Sequence, residues 1–234
     1  MSENTLSRPV VIVTGGTSGI GLAIVEDLAP DRQVIALGRN PQSLDALARL
    51  PNVIARSIDL TDHDDLERLV EALPRIDAVV HSAAISDWYS VEQARPEHWR
   101  EHFELNLFAP AELTRLALPK LRASRGQVVF INSGAGVRSV PGHTVYSASK
   151  FALRALADGL RADEAQHFVR VATVAPGPTD TPMNRKSREA RGEALEIERY
   201  RFSDPRSVAA GVRLVLDASE ESQITEVAVR PRLA

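Results

Sequence analysis

The chain has 234 residues, 44% of them hydrophobic and 25% charged, with a formal net charge of −3. That length suits one large α/β domain, and the slight negative charge offers no global basic field for nucleic acid. There is no cysteine, which excludes disulfides and thiolate metal sites. Nor does any secretion-signal core or membrane-length apolar run occur, so a soluble cytoplasmic protein without a membrane partner is expected.

In chain order, short β-branched runs alternate with helical patterns. Residues 10–14 predict a buried strand, followed by the turn Thr14-Gly15-Gly16-Thr17-Ser18-Gly19-Ile20-Gly21 and a helix over 20–28. The glycines permit a tight turn and close backbone approach, and a helix N-terminus after a strand offers free amides to a pyrophosphate. Gly15, Thr17, Ser18, Gly19, Ile20 and Gly21 are therefore expected to hold a dinucleotide. The alternative is a glycine turn that only packs.

Residues 33–37 predict a second strand, 44–50 a second helix and 53–58 a third strand. After the second strand comes Leu37-Gly38-Arg39-Asn40, where an NAD-binding protein of this plan carries an acid for the ribose hydroxyls. A guanidinium at Arg39 suits a 2′-phosphate instead, so NADP(H) is expected over NAD(H). The alternative for Arg39 is an ordinary surface arginine. Asp59 and Leu60 are expected beside the adenine, although Asp59 suits a helix cap equally well.

Residues 78–81, 128–132, 169–174 and 224–229 complete the strand series. Continuous apolar strands separated by helices predict a parallel sheet covered on both faces. The expected fold is α/β, a single-domain doubly wound Rossmann fold over residues 1–234, with a mainly parallel seven-stranded sheet flanked by helices. Residues 183–202, rich in Arg and Glu, form the expected mobile substrate loop or helix. Ser203, Asp204 and Pro205 then read as the cap and first turn of the last long helix.

Tyr146 and Lys150 stand four residues apart in Tyr-Ser-Ala-Ser-Lys, with Ser133 thirteen residues upstream. Residues i and i+4 share one helix face. A tyrosine titrates near pH ~10, and a fixed neighbouring cation would favour its phenolate. Such a pair suits moving a proton on or off an alcohol oxygen; the plain alternative is a solvated helix face.

Together the glycine turn, Ser133, Tyr146 and Lys150 resemble the short-chain dehydrogenase/reductase family, over residues 10–231. The resemblance implies hydride transfer between a nicotinamide and a small or medium carbonyl compound or secondary alcohol. Tyr146 would be the general acid/base, and Lys150 would hold the ribose and lower the tyrosine pKa. Ser133 would hydrogen-bond the reacting oxygen and Asn106 would anchor a proton relay. It further implies that Ser82, Ala83 and Ala84 line the cofactor, that Pro176, Gly177, Thr179 and Thr181 hold the nicotinamide and phosphates, and that no metal is needed. A homodimer or homotetramer is implied, formed through the helices carrying Asn106 and Tyr146. In one departure, His81-Ser82-Ala83-Ala84 stands where the family usually has Asn-Asn-Ala-Gly, and His81 is read as a hydrogen-bonded core residue. A catalytically silent cofactor-binding regulator, or an isomerase or dehydratase, are the competing functions.

Four further features invite attention. His98 and His102 have i, i+4 metal spacing but no evident third ligand, so a half-exposed helix is expected. Arg185, Lys186, Arg188 and Arg191 form a basic cluster on the presumed substrate side, read as a solvated helix or a lure for an acidic substrate. Trp88 and Tyr89 would either wall the pocket with Val140, Pro141 and Met183 or pack on the scaffold. The ending Thr-Glu-Val-Ala-Val-Arg-Pro resembles family members acting on hydroxy acids, although Arg230 and Pro231 are far in sequence from the pocket residues.

Overall fold

A computed structural model of the protein describes residues 8–193 and 200–233. Its strands are β1 (Val10–Val13), β2 (Gln33–Gly38), β3 (Val53–Ser57), β4 (Ala78–His81), β5 (Gln127–Ile131), β6 (Arg170–Pro176) and β7 (Glu226–Val229). All pair in parallel, in the order β3-β2-β1-β4-β5-β6-β7. The order reverses between β1 and β4, and in an open α/β sheet the crevice beyond the strand ends at that reversal is where ligands bind.

Successive strand residues face opposite sides, and two cores follow. Val11 and Val13 join Val34, Val129 and Val174 under α1 (Gly19–Leu28) and α8 (Pro205–Leu216). Ile12 joins Ile35, Val79 and Phe130 under α3 (His63–Ala72), α5 (Ala109–Ser124) and α6 (Thr144–Glu164). Because the central strands are buried on both faces, they carry unbroken apolar runs. The edge strand β7 instead alternates, with Glu226 and Ala228 exposed. The expected seven-stranded parallel sheet is present in full.

Helix boundaries moved where capping outweighed apolar periodicity. α2 runs Pro41–Leu47, not 44–50, because Asn40 accepts from Ser43 N and Pro41 starts the helix. α8 opens as expected, with the Asp204 carboxylate accepting from Arg206 N. The stretch expected as a substrate loop or helix contains α7 (Pro182–Ala190), capped by Thr181 accepting from Asn184 N at 3.1 Å; its residues 194–199 lie outside the described residues. A last helix, α4 (Pro96–Phe103), runs into a π-helical turn, Glu104–Phe108, before α5. Among the described residues no helix is long and apolar enough to cross a membrane.

Candidate active site

The turn after β1 is built for close approach. Gly15 has φ +65° and a Cβ there would lie 2.9 Å from Ala83 Cα; at Gly21 it would lie 2.1 Å from the Gly15 carbonyl oxygen. Thr14 Oγ1 accepts from both Ser82 N and Ala83 N at 3.0 Å, fastening this turn to the loop after β4. Ser18 precedes α1 in extended conformation and its side chain caps nothing. The first amides of a ten-residue helix are thus left without a side-chain acceptor beside a glycine cradle, which fits a pyrophosphate. Thr181 stands against this turn, its Cβ 3.3 Å from where a Gly19 Cβ would be, and Thr179 Oγ1 donates to Gly177 O at 3.0 Å.

Arg39 and Asp59 are both exposed, just past β2 and β3, with Leu60 half-buried beside them. Hydrogen bonds from Thr61 N and Oγ1, with a lesser contribution from the Arg39 charge, hold the Asp59 carboxyl below its usual range. Asp59 therefore organises its own turn; the cap of α3 is Asp62, accepting from Asp65 N at 3.1 Å.

Tyr146 and Lys150 lie in the first two turns of α6 and are 9% and 2% exposed. A solvated helix face is excluded for both. Burial pushes the Tyr146 phenol above its ordinary value, and a hydrogen bond with the Ser133 side chain pulls it partly back. Ser133 also accepts from Ala135 N at 3.1 Å, at the start of a 3-10 turn. The expected lowering of the tyrosine by Lys150 is not what the geometry gives. Lys150 Nζ donates to Ile131 O at 2.9 Å and stands 5.8 Å from the Tyr146 ring centre, and burial sets the upward direction of the phenol. The same burial lowers Lys150 to about 8.

Asn106 occupies the π-helical turn and is 1% exposed. Its Oδ1 accepts from Ile85 N at 2.9 Å, while Nδ2 donates to Ile85 O and Ser149 Oγ, both at 3.0 Å. It thereby ties the loop after β4 to α6. Insertion of a π turn is a common device at functional sites. His81 is the core residue expected: Nε2 is 2.8 Å from Thr114 Oγ1, the ring stacks on Phe130, and burial followed by the Lys150 charge lowers it to about 3.

His98 and His102 are engaged as hydrogen-bonding residues. His98 Nδ1 accepts from Arg95 N at 3.2 Å, and His102 uses Nδ1 on His98 O and Nε2 on Asp87 N. Tyr89 stacks on His98, 3.9 Å between ring centres, so that aromatic packs on the scaffold. Two members of the basic cluster are paired with acids, Arg185 with Asp180 and Arg191 with Glu193, while Arg188 is buried beside Phe202. Arg230, far away in sequence, comes beside the site: its Cδ is 3.0 Å from where a Gly177 Cβ would lie, and it donates to Ala175 O and Val229 O.

Sequence reasoning missed His143. Its ring stacks on Tyr146 (4.5 Å between centres) and on Trp88 (4.4 Å), and Arg191 lies over Trp88 at 3.8 Å. Its place three residues before Tyr146, one helical turn along the same face, was the available signal.

A glycine cradle at the sheet's reversal point, beside a buried phenol and amine on one helix, fits a nicotinamide-dependent oxidoreductase. The family model for short chain dehydrogenases matches residues 9–192. A benzil reductase ((S)-benzoin forming) of Saccharomyces cerevisiae is 33% identical over 242 residues, covering 91% of this chain and 92% of its own. The L-fucose dehydrogenase of Bos taurus is 36% identical over 183 residues, covering 74% and 67%. Among solved structures, the closed form of a serine dehydrogenase complexed with NADP+ superposes with a TM-score of 0.87 at 26% identity, covering 94% of each chain. A short-chain dehydrogenase from Streptomyces avermitilis gives 0.83 at 32% identity, covering 98% and 89%. The chain belongs to the short-chain dehydrogenase/reductase family, oxidoreductases that act on small molecules with a nicotinamide cofactor.

Proposed function

We propose that this protein is an NADP(H)-dependent oxidoreductase that interconverts a small or medium carbonyl compound and its secondary alcohol, with Tyr146 as general acid/base. The observation that carries the reading is the buried Tyr146 phenol, beside Ser133 and one turn from a buried Lys150. Gly15, Thr17, Ser18, Gly19, Ile20 and Gly21 would hold the pyrophosphate, Asp59 and Leu60 would flank the adenine, and Arg39 would bind the 2′-phosphate. Ser82, Ala83, Ala84, Pro176, Gly177, Thr179 and Thr181 would line the remainder, with Lys150 at the ribose. Bound there, the dinucleotide supplies or accepts the hydride at its nicotinamide ring.

In the reductive direction Tyr146 gives its proton to the carbonyl oxygen as the carbonyl carbon gains hydride, so that C=O becomes CH–OH. A phenol held protonated by burial suits that donation. Ser133 donates a hydrogen bond to the same oxygen and offsets the charge developing on it. Asn106, through Ile85 and Ser149, keeps the loop and α6 in register around them. Relatives that act on a diketone and on hydroxyl-bearing substrates support the substrate class. We place the enzyme in the cytoplasm as a homodimer or homotetramer.

The test is NADPH consumption over a panel of ketones, aldehydes and 2-oxo compounds, beside NADPH binding by fluorescence. Turnover of at least one carbonyl is expected. Tight binding with no turnover across the panel would favour a silent regulator instead.

A further inference from the structure

Three rings from two parts of the chain form a column ending on Tyr146. Trp88, in the loop leaving β4, lies parallel to the His143 imidazole, with 6° between the planes, and His143 lies nearly parallel to the Tyr146 phenol, at 18°. Arg191, just past α7, places its guanidinium carbon 3.8 Å from the Trp88 ring centre. The column therefore runs from the segment that follows Thr179 and Thr181 to the proposed acid/base.

Every member is braced. His143 Nε2 and Ser86 Oγ are hydrogen-bonded at 3.1 Å, and Thr144 N donates to Tyr89 O at 3.0 Å. Gly142, at φ +75°, gives Trp88 its seat: a Cβ there would stand 3.4 Å from Trp88 Cε3. Arg191 is fixed by two bonds to the Glu193 carboxylate, 2.6 and 2.9 Å, and one to Ser187 Oγ at 3.0 Å. Burial keeps His143 neutral, near about 4. Arg191 and His102 also disfavour its charge, while the Ser86 bond and Asp87 favour it. A neutral ring between two aromatic faces transmits position rather than charge.

We propose that His143 is a positioning residue for Tyr146, and that through Trp88 it couples the seating of α7 by Arg191 to the placement of the phenol. This rests on Tyr146 being the acid/base. His143 makes no bond to the reacting oxygen in this scheme; it fixes the plane of the ring that does. A displaced phenol is costly, since a misplacement of about 1 Å lowers rates by as much as about a hundredfold.

The experiment follows Tyr146 directly, through its ionisation absorbance measured against Tyr146→Phe protein, and then kcat and KM with NADPH and a carbonyl turned over in the panel. His143→Ala and Arg191→Met are each expected to bring the Tyr146 pKa down toward the ordinary value. Each should also cut kcat about tenfold, with KM changed by less than about threefold. The double variant should be no worse than His143→Ala alone, because residues acting through one column do not add. His143→Phe, which keeps a ring in place, should restore both readings. Wild-type titration and kcat in Arg191→Met, multiplied losses in the double variant, or failure of His143→Phe to rescue would each overturn the coupling. If His143→Ala does not fold, His143→Gln with Arg191→Met decides on the same criteria. Full turnover in Tyr146→Phe would retire the acid/base reading itself, whereas an inactive Tyr146→Phe beside an unaffected Arg191→Met would retire the column alone.

Discussion

Arg39 is a solvent-exposed side chain whose neighbouring groups give it no fixed partner role in the fold beyond its field on Asp59. Replacing it by Ala should leave thermal stability within about 0.5 kcal/mol, as for surface changes generally. The same change should weaken NADPH binding by about ten- to a hundredfold, the worth of a charge-assisted phosphate bond, with little effect on NADH. Equal loss for both cofactors would remove Arg39 from the phosphate. His81 makes a second residue-level prediction. In the folded protein it titrates near about 3, whereas an unfolded histidine takes up a proton below pH ~6.5. Its contribution to stability is thus complete above that pH and falls as pH drops, by about 2 kcal/mol at pH ~5. His81→Gln, which keeps a partner for Thr114, should flatten the decline between pH ~6.5 and ~5 in urea unfolding; an unchanged slope would place the acid sensitivity elsewhere.

At the scale of elements, Asn106 binds three groups across two segments from within a π-helical turn. Asn106→Ala should therefore cost about 2–3 kcal/mol, and the loss should appear first as faster amide exchange at Ile85. A variant as stable as the parent, with Ile85 still protected, would contradict that bridging role. The strands were legible because β1, β2, β4, β5 and β6 are buried on both faces and spell themselves as apolar runs. The π turn was not, since one extra residue in a helix leaves the 3.6-residue pattern on either side intact. α2 was displaced in the reading because Leu44 and Leu47 marked only its buried side, while its start was set by Asn40 and Pro41. Tyr146 and Lys150 could be paired by their helical spacing, and Ser133 came with them through the family resemblance. The Trp88–His143–Arg191 contacts join segments that no local spacing connects.

For the whole molecule, one sheet fastens both halves of the crossover, and the two helical layers are locked at their ends. Arg32 and Arg213 join α1 to α8 through Asp27, Asp31 and Asp217, while the Arg122–Glu164 pair clamps α5 to α6 at 2.6 Å. Apolar side chains nevertheless remain outside: Phe108 is 52% and Phe151 44% exposed. A second copy covering them would relieve both. Light scattering should give two or four times the 25.5 kDa chain mass, and Phe151→Glu should shift it to the monomer without altering the circular dichroism. A monomeric parent protein would contradict the proposed assembly.

The proton on Tyr146 remains the centre of the account, and single-turnover hydride transfer with Tyr146→Phe tests it most directly. With NADPH bound to saturation, conversion of the carbonyl should slow by about a thousandfold, while NADPH affinity stays within about twofold of the parent. Transfer at the parent rate by this variant would contradict the account.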